Sequence, residues 1–155
     1  MTYSVTSPVT GAAQTGFTSP TYTHVADTAP DINGKQVAVT AIGGTQTGVV
    51  VSSVSIPFTA TFVRPRVLKA LGKANPVTGV ISNVPNNTYK LITRKGVEPL
   101  AGQPFRTMLI TTIIEVPAGS DSADPENVRA ALSLHAGILS QQSAGIGDTI
   151  VSGVF

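Results

Sequence analysis

The 155-residue chain has no cysteine and no tryptophan, and only 12% of its residues are charged. The first absence excludes disulfides, thiolate metal sites and cysteine nucleophiles. Charge at about half the usual ~25% leaves solubility to Thr, Ser, Asn and Gln, or requires that other copies cover the surface. No apolar run, such as 49–51 or 109–110, approaches the ~20 residues that span a bilayer. Residues 1–8 offer neither a basic n-region nor an apolar h-region, so no signal peptide and no membrane partner are expected. Catalytic signatures are missing too. There is no HExxH, GxSxG or Walker motif, and neither His24 nor His135 has an acid or hydroxyl at motif spacing. No enzyme, metal or cofactor is expected.

What is present is β-branched. Thr, Val and Ile make up close to a third of the chain, which argues for strands. Residues 1–34 read as a loose hairpin or arm, and Asn33-Gly34 marks a turn. Alternation predicts a strand over 35–42, a break at Gly43-Gly44-Thr45 and a resumed strand over 49–56. Further strands are expected over 58–67, 88–97 and 105–116, with a long connection or an irregular hairpin over 70–87. Short connections make the sheet antiparallel.

The period then changes. Asp124-Pro125-Glu126 supplies an N-cap acid, a proline at the first helical position and an acid in the first turn. Val128, Ala131, Leu132, His135, Ile138 and Leu139 follow at the spacing of an amphipathic stripe. A break over 140–145 and a short second helix over 146–154 complete the order. Strands followed by a helical hairpin give an α+β fold in one domain: residues 1–56 as hairpin and first strands, 57–117 as main sheet, 124–155 as helical segment. Two terminal helices can cover only part of one face of such a sheet. Twofold association, each copy laying its helices over the other's sheet, solves this, so a homodimer is expected with Val128, Leu132, His135, Ile138 and Leu139 at its interface.

The net charge of +2 conceals a segregation. Residues 35–106 hold nine of the ten cations and one acid, Glu98, for a net +8, while residues 107–155 carry −4. A basic middle is the pattern of a polyanion-binding surface, although scattered solvated charges give the same count. Lys90 and Arg94 share one strand parity, Arg64 and Arg66 another, and Thr107 and Thr111 a third. Such cations and hydroxyls suit nucleic-acid phosphates, and they equally suit a solvated sheet face.

From residue 111 onward the pattern resembles the coat proteins of single-stranded RNA bacteriophages, the levivirus type. The run Thr111-Thr112-Ile113-Ile114-Glu115-Val116-Pro117 is followed by a spacer, an acidic helix start, an amphipathic helix and a second small helix. The end, Ser152-Gly153-Val154-Phe155, and Tyr89-Lys90 after an Asn-rich turn are also similar. The resemblance implies an N-terminal hairpin, an antiparallel sheet of about five strands and two C-terminal helices in an interlocked dimer. It further implies assembly into an icosahedral shell, usually T=3, whose inner sheet face touches genomic RNA. In several members of the family that face binds a hairpin and represses replicase translation. The expected residence is the virion, assembled in the bacterial cytoplasm. The loop at 98–104, with Glu98, Pro99, Gly102 and Pro104, matches the one that meets its copies around the symmetry axes. Two other identities compete: a secreted Thr-rich β-domain of pilin or adhesin type, and a small RNA-binding protein that does not assemble. The first requires a signal peptide. The second requires stacking aromatics, and the chain has three Tyr and five Phe.

Overall fold

Alternating apolar and polar residues become paired strands in six places. The structure, a computed structural model, describes residues 2–155. Strands β1 (Val9–Thr10), β2 (Thr18–Asp27), β3 (Gly34–Thr45), β4 (Phe58–Val63), β5 (Asn86–Val97) and β6 (Arg106–Pro117) form one antiparallel sheet in chain order. Helices α1 (Ser120–Ala123), α2 (Pro125–Gln141) and α3 (Ser143–Ser152) follow. Each strand pairs only with its sequence neighbours, so β6 is an edge strand.

Register assigns the two faces. Gln36 lies opposite Thr61, Thr61 opposite Ile92, and Ile92 opposite Thr111, which puts these residues on one face. Val37, Ala60 and Thr93 form a matching line on the other face, which also carries Phe58, Phe62 and Tyr89. The N-terminal segment lies over that aromatic side. Tyr3 stacks on Phe62 at 4.6 Å between ring centroids, Phe62 on Tyr89 at 6.3 Å, and Lys35 Nζ donates to the Tyr3 carbonyl at 3.2 Å.

Several boundaries differ from the sequence expectations. The strand expected to break at Gly43-Gly44-Thr45 runs through to Thr45, because glycine lets β2 come close. Gly44 takes φ +73 and faces the carbonyls of Thr18 and Ser19 where a Cβ would collide. Residues 49–56 form no strand. Their polar groups are used locally instead, with Ser53 Oγ accepting from Ile56 N and Ser52 Oγ from Phe58 N. The strand expected over 58–67 ends at Val63, two residues before Pro65. The expected break over 140–145 is a single residue, Gln142, which caps α2 through its N–H to the Ile138 carbonyl. The short helix α1 fills a spacer in which none was expected, after Gly119 at φ +88.

The chain buries little of itself. Among the described residues the buried apolar side chains are Pro20, Val39 and Ala118, and the surface measures 10893 Å². A self-sufficient monomer of 15.9 kDa would expose about 7,400 Å² by the usual size scaling, an excess of about 3,500 Å² here. The fold positions a sheet and a helical pair without closing them over one another.

Candidate nucleic-acid interface and association surfaces

One face of the sheet gathers hydroxyls, amides and cations. On β5, Lys90 and Arg94 share this face, with Lys90 opposite Ile113 and Arg94 opposite Leu109 of β6. Thr111 lies opposite Ile92 and Thr107 opposite Gly96, so four of the six residues expected at an RNA interface occupy one face of two adjacent strands. Lys90, Thr107 and Thr111 are exposed, while Arg94 is half-buried.

The difference has a cause. Arg94 donates from Nη1 to Thr61 Oγ1 at 3.0 Å, Thr61 donates to Gln36 Oε1 at 2.6 Å, and Gln36 Nε2 donates to Asp27 Oδ2 at 2.7 Å. A polar line thus crosses four strands from β5 to β2, with Thr61 only 1% exposed. The Gln36 amide, with the Thr28 N–H in support, holds the Asp27 carboxyl below its ordinary range. Asp27, Gln36 and Thr61 were not among the sequence candidates. The polar parity of Thr59 and Thr61 on β4 was the one signal of them.

Arg64 and Arg66 are not brought to this face. Both follow the end of β4, where strand parity no longer applies. Arg64 lines a recess of about 550 Å³ on the aromatic side, together with Tyr3, Phe62 and Tyr89. Arg66 approaches Asp31, whose carboxyl is held low first by the Asn33 N–H and side chain and to a lesser degree by that guanidinium. Lys95 also points away. Its Nζ sits 4.7 Å from the Phe58 ring centroid and donates to the Val50 carbonyl at 2.7 Å, and burial pulls its pKa down.

The helices form the second surface. The Asp124 side chain accepts from Asn127 N and Pro125 opens α2, as the cap pattern predicts. No residue of α2 or α3 is buried. Leu132 and Ile138 stand 49% and 50% exposed, and Leu139 is exposed as well. Val128, Leu132 and His135 line a groove of about 490 Å³ against Ile114 and Val116 of β6. Ile138 belongs to a different recess, shared with Ile146, Ile150 and Phe155. The stripe is therefore split between two troughs. The N-terminal turn tethers the far end: Gln14 Nε2 donates to Ser143 Oγ at 2.6 Å and Thr15 Oγ1 to Asp148 Oδ2 at 2.8 Å.

The loop between β5 and β6 is braced from within. Gly102 N donates to Glu98 Oε1 at 2.7 Å and Gln103 N to the Leu100 carbonyl at 2.9 Å. Pro99 and Pro104 flank a tip at which Leu100, absent from the sequence candidates, stands 68% exposed. Elsewhere, His24 Nε2 is buried without a hydrogen-bond partner. No group of three or more His, Asp or Glu converges among the described residues, and no described helix is long and apolar enough to cross a membrane.

No family model matches the chain, and no curated protein does. A solved structure does: the virus-like particle of bacteriophage ESE020, 59% identical, aligned over 99% of this chain and 100% of that one with a TM-score of 0.96. Near-identity of backbone over the full length, with the hairpin, sheet and helical pair in the same order, places the chain among the levivirus-type coat proteins of single-stranded RNA bacteriophages.

Proposed function

We propose that the chain is the repeating unit of an icosahedral shell around single-stranded RNA, built through a homodimer. The observation that carries this is the missing cover: the chain exposes 10893 Å² and buries no residue of α2 or α3. The excess of about 3,500 Å² per chain is more than one partner's half of an obligate interface of about 2,000–5,000 Å² in total, so it leaves area for contacts between dimers as well. The free edge of β6 presents twelve residues of backbone, and a second β6 across a twofold axis continues the ladder. The same operation carries each α2 over the partner's sheet, with Val128, Leu132, His135, Ile138 and Leu139 in the contact. The relative from bacteriophage ESE020 forms a virus-like particle, and such dimers are suited to the same state. The protein is structural and not an enzyme, and its place is the virion, reached by assembly in the host cytoplasm.

Lys90, Arg94, Thr107 and Thr111 meet phosphates from the polar face of the sheet. Arg64 and Arg66 add to the positive field without joining that face. Glu98, Pro99, Gly102 and Pro104 shape a loop that meets neighbouring dimers. Phosphate contacts position RNA without reading its sequence, so packaging is largely electrostatic and weakens with salt at a log–log slope of about −0.7 per phosphate neutralised. Nuclease treatment of purified particles followed by extraction tests this. Protected RNA is expected; particles without RNA, or a stable monomer, contradict it.

A further inference from the structure

The connection between β4 and β5 is a built hairpin with its apolar residues turned outward. Gly72 N donates to the Asn83 carbonyl at 3.0 Å and Asn75 N to the Val80 carbonyl at 2.9 Å, forming two rungs. Asn75 Oδ1 closes the tip by accepting from Val77 N and Thr78 N at 2.8 and 3.2 Å. At the base, Asn87 clamps the Lys69 backbone through both side-chain atoms, and Leu71 packs where a Cβ on Gly119 would stand. Yet Val77 is 91% and Val80 61% exposed. A tip whose polar groups are satisfied and whose base is clamped loses little entropy on docking.

We propose that this hairpin is a contact between dimers, its tip seating on a neighbouring copy of this same chain; the inference rests on the shell reading above. Residues 74–85 contain no charged side chain, so the tip offers RNA no phosphate partner. The cations Lys69 and Lys73 sit on the stalk, and residues 68–85 contain no acid. Two such hairpins repel, whereas four of the chain's eight acids, Glu115, Asp121, Asp124 and Glu126, fall within the twelve residues around the helix start. Charge therefore matches the hairpin of one dimer to the helix-start region of another. The Leu71–Gly119 contact makes that region continuous with the hairpin base, so one end of the sheet carries both halves of a heterologous contact.

Because the chain has no cysteine, Val77→Cys introduces a single thiol at an exposed site. Maleimide labelling is expected to be slower by about tenfold or more in intact particles than in dissociated dimers. Equal rates in both states overturn the proposal. Protection already present in dimers overturns it by placing the contact inside the dimer, and protection of dimers by a short RNA oligonucleotide overturns it in favour of RNA. In a second variant, Val77→Asp combined with Val80→Asp, dimers are expected to keep the helical signal of the unsubstituted chain and to yield no shells; a normal shell yield overturns the proposal. Failure of the unsubstituted chain to dimerise or form shells would instead count against the shell reading itself.

Discussion

The Arg94 guanidinium donates to Thr61 Oγ1 at 3.0 Å, across the β5–β4 pair, and so separates the two cations that parity places together on β5. Arg94 is half-buried and held in the Thr61–Gln36–Asp27 line, while Lys90 stands free. Arg94 thus braces the sheet in addition to carrying charge on this face, whereas Lys90 carries charge alone.

Lys90→Ser is therefore expected to lower the RNA content of particles with no change in thermal stability. Arg94→Ser is expected to lower both, with a stability loss of about 1.5–3 kcal/mol for a hydrogen bond to a charged group. The absorbance ratio of purified particles reads the first effect and dimer melting reads the second. Equal stability in the two variants would show that the polar line carries no weight.

The same line predicts an acid limb. The Asp27 carboxyl titrates below its ordinary range because Gln36 and the Thr28 N–H bond its ionised form. A carboxyl with a depressed folded pKa contributes stability above its unfolded value, about 3.9, and loses it as pH falls through the folded value. Dimer melting of Asp27→Asn should thus lie below that of the unsubstituted chain near neutrality, and the two curves should converge below pH ~4. A constant offset across the range would assign the effect to something other than the charge.

On α2, Leu132→Asp is expected to abolish dimers, because an unpaired charge in a packed interface costs on the order of 3–5 kcal/mol. His135→Ala removes polar surface from the same groove and should be milder. Sedimentation separates the cases. Normal particles from Leu132→Asp would remove the stripe from the interface.

Features fixed by neighbouring residues were legible in the sequence. Asp124 and Pro125 announce α2 because capping acts within one turn, and the alternation over 88–97 and 105–116 sets strand faces because side-chain period does. Features that depend on distant pairing were hidden. Residues 49–56 are rich in Val like a strand yet spend Ser52 and Ser53 on local bonds. The Asp27–Gln36–Thr61–Arg94 line exists only once four strands are in register, and the parity of Arg64 and Arg66 lost its meaning when β4 ended at Val63. The split of the helix stripe at Ile138 depends on where α3 folds back, which the spacing of α2 alone does not encode.

Electron microscopy of the full chain, expressed alone and purified, tests the central claim most directly. If the exposed helices and the free β6 edge are halves of a contact between copies, the fields will show closed shells of uniform diameter. A soluble monomer at micromolar concentration, with no particles, would contradict the account.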